Sequence, residues 1–233
     1  MEFSATVLIL PQLSLVPPIH NYISMLKLLI YSVTILSCFA SAACSEETAT
    51  KDAASLSETD AKKPKHTLYL AWHNECLTGK TEVIDAKMKA FEQRLKVDPN
   101  DHLATVYLGS ASALRAKASF WGPSKLKYLR RGQKLMNAAI ESAPKDPRIR
   151  MVRAIGFHKV PKRFNCRATS IKDFETLLPI VEQKSSPLLI NERQAILYYA
   201  QLAFSEEGHR DADKLKQLCH QLDPKSKYGK LTR

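Results

Sequence analysis

The sequence predicts an all-α protein of antiparallel helical hairpins stacked as a short solenoid, and three observations carry that expectation. A helix-like stretch closes three times on a proline followed two residues later by a capping residue: Pro99 with Asp101, Pro144 with Asp146, and Pro224 with Ser226. Proline disfavours helix in the residue before it, and an Asp or Ser side chain accepts from the free amides of the next helix, so each pair separates two helices. Between these boundaries apolar residues recur every three or four positions, and no run alternates apolar with polar residues between turns. With 7 glycines in 233 residues there is also no glycine-rich phosphate loop.

Seven helices follow in order. Residues 82–97 place Ile84, Met88, Phe91 and Leu95 on one face. Residues 102–119, capped by Asp101, carry Val106, Leu108, Ala111 and Leu114 as their apolar positions. In 125–142, after Pro123 and a Ser124 cap, Leu126, Leu129, Leu135, Ala138, Ala139 and Ile140 point inward. Residues 148–157 follow Asp146 as cap and Pro147 in the first turn, where the missing amide costs nothing. An irregular stretch, 158–167, precedes a helix over 169–178, with Pro179 ending or kinking it. The last pair, 191–205 and 210–222, is joined at Glu206-Glu207-Gly208.

Upstream of the helices lies an address. Residues 1–24 are apolar but broken by Pro11, Pro17 and Pro18, and read as an upstream extension before a start at Met25. Residues 25–43 then combine Lys27, an apolar run and the small residues Ala40 to Ala43, the pattern of an export signal. A single uncleaved anchor is the rival reading, although the run is short for a span of about 20 residues. Residues 44–65 are a polar tether with almost nothing to bury, and 66–233 form the helical domain.

Cys44, directly after small residues, resembles a bacterial lipoprotein acylation site, with Ser41 where such sites usually have leucine. The resemblance implies a periplasmic or outer-membrane-anchored lipoprotein, and plain secretion remains the alternative. Cys38 leaves with the signal. If Cys44 is acylated, Cys76, Cys166 and Cys219 permit at most one bridge.

Net charge is +12. Removing Lys27 and the three tether lysines before residue 65 from 35 basic residues, and Glu2 and five tether acids from 23, leaves 31 against 17 for residues 65–233. That balance favours acidic partners, including an anionic membrane surface, and export makes nucleic acid the least expected of them.

The segment from Pro99 to Gly109 resembles a tetratricopeptide repeat boundary and its following first helix, where that family places a Leu-Gly pair. Phe91 and Ala139 match the family's large and small positions before the closing proline. Ala200, Ala203 and Ala212 match its small positions when the last hairpin is aligned on Pro224, and Gly132 does so when the middle one is aligned on Pro144. The spacing departs: Pro99 to Pro144 is 45 residues and Pro144 to Pro224 is 80, against about 34 for a standard repeat. Thr105, Arg150 and Ile196 also stand where the family has an aromatic residue.

The resemblance implies a non-enzymatic module that binds a protein or peptide partner in the cell envelope, without cofactor or metal. Carried over position by position, its partner groove comprises Leu103, Val106, Ser110, Arg148, Met151, Ile155, Gln194, Leu197 and Gln201. A second candidate surface is formed by the extra residues in the turns inside consecutive hairpins, which a stack places along one edge. Phe120, Trp121, Lys159, Lys162, Arg163, Phe164 and Arg167 combine aromatic rings with positive charge there, suited to an anionic small molecule or glycan fragment and so to a ligand-binding or enzymatic alternative.

Two further motifs have chemical potential. His73-Asn74-Glu75-Cys76 puts His and Cys on one helical face but supplies only two metal ligands. Cys166 with His158 is a conceivable nucleophile and base, without an assigned orienting carboxylate.

Overall fold

The computed structural model describes residues 63–233; the expected upstream extension and export signal and most of the expected tether, with Cys44, lie outside them. Nine helices and no strand occur among the described residues. They are α1 (Lys65–Cys76), α2 (Thr81–Val97), α3 (His102–Ala118), α4 (Gly122–Ser142), α5 (Pro147–Lys159), α6 (Arg167–Glu182), α7 (Ile190–Glu206), α8 (Ala212–Leu222) and α9 (Lys227–Leu231), with a 3₁₀ turn over Lys162–Phe164.

Successive helices pair as α1–α2, α3–α4, α5–α6 and α7–α8. The first helices also pack on one another, α1 on α3, α3 on α5 and α5 on α7, giving an inner layer backed by the second helices. The core lies between the layers, where Ile84, Phe91, Met136, Phe174, Leu177 and Ile196 are wholly buried.

All three proline boundaries behave as the sequence requires. Asp101 accepts from the Ala104 amide at 2.9 Å, Asp146 from the Arg148 amide at 2.8 Å, and Ser226 from the Gly229 amide at 2.9 Å. Asp101 does more than cap, because its other oxygen takes the Tyr69 hydroxyl at 2.8 Å and the Lys65 ammonium at 2.9 Å. One carboxylate thus opens α3 and fastens α1 against it.

Helix α1 is absent from the sequence expectation. It is held by aromatic packing: Tyr69 and Trp72 meet Phe91 edge-on at 5.5 and 5.2 Å, and Phe91 stacks on Tyr107 at 6.1 Å. The five-residue α9 was likewise not expected. Its Gly229 admits no side chain, since a Cβ there would lie 2.0 Å from the Asp223 carbonyl oxygen.

Several boundaries move. The cap of α4 is Trp121 rather than Ser124, with no side-chain bond, and Pro123 stands in the first turn. Ala138 is exposed, whereas Gly132 and Met136 take the inward positions of α4. The stretch 158–167 is not irregular throughout, because α5 continues to Lys159 before the 3₁₀ turn. Pro179 ends nothing: it sits exposed inside α6, which continues to Glu182.

Candidate functional site

The stacked first helices leave a groove of about 1130 Å³ on their free side. Its floor takes Leu70 from α1 and Leu77 just beyond its end, Tyr107 and Leu114 from α3, Leu126 from α4, Met151 and Ile155 from α5, and Tyr199 from α7. Tyr228 of α9 lines it as well, with its ring 5.1 Å from Tyr198 and 6.1 Å from Tyr199. Val160, Pro161, Arg163 and Phe164 of the α5–α6 connection complete the wall.

The two surfaces expected from the sequence therefore meet in part. Ser110, Met151 and Ile155 of the expected groove line it together with Lys159, Arg163 and Phe164 of the expected insertion surface. Leu103, Val106, Arg148, Gln194, Leu197 and Gln201 do not line it. Val106 and Leu197 are core residues, and Gln194 is buried with its amide donating to the Cys219 and Asp223 carbonyls, both at 2.9 Å. Phe120 and Trp121 also stay outside the groove lining, 101% and 68% exposed. Lys162 pairs with Glu207 at 3.1 Å, and Arg167 turns instead to His158 and Glu206.

Polar groups in the wall are fixed by one another. Arg148, behind the groove, holds Glu192 through two nitrogens at 2.8 and 3.1 Å, and Glu192 also accepts from the Leu189 amide at 2.7 Å. His73 Nε2 lies 2.8 Å from Ser110 Oγ. Burial holds this imidazole down at about 4, so it is neutral near pH 7 and a weak base. No carboxylate bonds its other nitrogen among the described residues, so the pair has the distance of a nucleophile and base without the orienting group.

His73 and Cys76 do not converge on a metal: the Cys76 thiol is wholly buried and donates to the Trp72 carbonyl. His158 and Cys166 are not bonded to each other either. His158 Nδ1 is engaged by Arg167, while Cys166 receives the Gln133 amide at 2.9 Å. Burial raises the Cys166 thiol, against a standing thiolate. Cys76, Cys166 and Cys219 are all unpaired and buried.

A smaller cavity of about 450 Å³ between α5 and α6 is lined by Arg150, Arg153, Lys172 and Asp173. Its charge is largely internal, since the buried Asp173 carboxylate takes Arg150 and Arg153 at 2.8 Å each. No helix among the described residues is long and apolar enough to cross a membrane.

The helix-forming residues of α1 were the missed part of the site. Tyr199 and Tyr228 were missed as well, because their convergence depends on how α9 folds back. Comparison with protein-family models, curated proteins and solved structures finds no match.

Proposed function

We propose that this protein is an exported, non-enzymatic, tetratricopeptide-like module that binds a protein or peptide segment at the cell envelope. The observation that carries the reading is the groove itself: an apolar channel built from side chains of the first helices of four successive hairpins, the face on which helical repeats receive extended partners. The export signal and the Cys44 lipidation candidate support the location.

Photo-crosslinking tests the reading. With benzoylphenylalanine in place of Ile155, envelope preparations should yield a discrete adduct that the same group at exposed Glu141 does not give. Equal labelling from both positions would refute a groove partner. Mass spectrometry of the mature N-terminus tests the address, an acyl chain on Cys44 marking the tethered form and an unmodified end after Ala43 the secreted one.

A second reading, capture of an anionic small molecule or glycan fragment, draws on the convergence of Lys159, Arg163 and Phe164 at one groove wall. It is the less favoured, because Phe120 and Trp121, its other aromatic residues, lie outside the lining.

A further inference from the structure

Five cations border the groove: Lys117, Lys125, Lys159, Arg163 and Lys227. Three of them lie over aromatic rings of its wall, Lys159 over Tyr199 at 4.6 Å, Arg163 over Phe164 at 5.0 Å and Lys227 over Tyr228 at 5.8 Å. Among the described residues none of the five is within salt-bridge distance of a carboxylate, although such pairs hold Lys65, Lys87, Arg115 and Arg131 among others on this domain. Among the described residues the one acid lining the groove, Glu192, is already held by Arg148.

Lys117 and Lys159 oppose each other electrostatically: burial and then the Lys117 charge hold the Lys159 ammonium below its usual value. The nearby Glu206 offsets this only in part, and it is already taken by Arg167 at 2.8 Å. The fold thus gathers positive charge around an apolar channel and, among the described residues, brings no carboxylate into direct contact with it.

We propose that the groove takes an acidic polypeptide segment, with apolar side chains on the floor and Asp or Glu carboxylates against the Lys117–Lys159 rim. This rests on the binding-module reading and adds the chemistry of the partner to it. An apolar segment without acids would leave the rim lysines partly desolvated and unpaired, and a basic one would add like charge. A wholly hydrophilic acid would leave the floor empty.

The test is a random dodecapeptide display library panned on the full chain, on Ile155→Arg and on the Lys117→Glu, Lys159→Glu double variant, each first confirmed folded by circular dichroism. Peptides retained by the parent chain and lost on Ile155→Arg should combine aromatic or aliphatic residues with an excess of Asp and Glu. Their synthetic versions should bind the double variant about tenfold or more weakly and should weaken with added salt.

Groove-dependent peptides with no acidic excess would overturn the acidic partner and leave the binding module standing. Failure to recover any groove-dependent peptide would overturn both. Binding of phosphatidylglycerol vesicles that Ile155→Arg abolishes, with no groove-dependent peptide, would make the occupant a lipid and overturn the proposal.

Discussion

Gly109 and Gly132 bring the backbones of α3 and α4 into direct contact: a Cβ on Gly132 would stand 2.6 Å from the Gly109 carbonyl oxygen and 3.1 Å from the Ala113 nitrogen. The obstacle is main chain, which cannot rotate aside. Gly132→Ala should therefore destabilise the protein by about 1–3 kcal/mol or more, as an overpacked core does, despite the helix propensity gained. Urea unfolding of the two proteins measures it, and an unchanged midpoint would show that the hairpin can spread at little cost.

Asp173, 1% exposed, answers two arginines at once. Asp173→Asn keeps its volume and leaves both guanidinium groups without their charge partner, which should cost about 3–5 kcal/mol. The exposed Lys214–Glu182 pair, at 3.8 Å, is the contrast: Lys214→Ala should fall within about 1 kcal/mol of the parent. Equal losses at the two sites would contradict the difference in burial.

Acid should weaken the fold before most carboxylates titrate. His73 and His158 are held at about 4 by burial, with Arg167 adding to the effect at His158, against an ordinary 6.5. Between those values the unfolded chain binds more protons than the folded one, so stability is fully present above about pH 6.5 and declines towards about pH 4. For His158 alone the slope approaches on the order of 1 kcal/mol per pH unit. Unfolding curves across this range should show the decline, and His158→Gln should flatten it; an identical slope in the variant would remove His158 as a cause.

Cys76, Cys166 and Cys219 should resist alkylation in the native state. All three are buried and raised by burial, Cys76 to about 11, so little thiolate exists near neutrality and the sulfur is out of reach. Peptide mapping after brief N-ethylmaleimide treatment should find them unmodified, then fully modified in denaturant. Rapid native labelling of Cys166 would show that the α5–α6 connection opens.

The three caps at the proline boundaries were the legible part of the fold, because they are decided within a few residues. Asp101, Asp146 and Ser226 each act on amides two or three positions away, and the sequence alone locates them. Helix α1 was not legible: its buried side chains are Leu68, Tyr69, Trp72 and Cys76, mixed with polar residues, and their apolar character emerges only against Phe91 and Tyr107 on other helices. Pro179 misleads because an exposed position in the last turn tolerates it.

The site was half legible for a related reason. Ser110, Met151 and Ile155 follow from repeat-like register, but register assumes that neighbouring hairpins stack at a standard offset. Here Gln194 and Leu197 are instead covered, the former by carbonyls around the end of α8. The rim of unpaired cations is a property of three-dimensional neighbours, and net charge only hinted at it.

Side chains of α1, α3, α4, α5, α7 and α9 reach the groove, so no single hairpin carries it. Occupancy and folding are then linked equilibria: whatever binds only the completed channel must shift the whole chain towards its folded form, by an amount set by ligand concentration relative to affinity. A melting temperature that climbs with ligand would report a partner acting as a clasp across every hairpin, including the terminal ones it touches least.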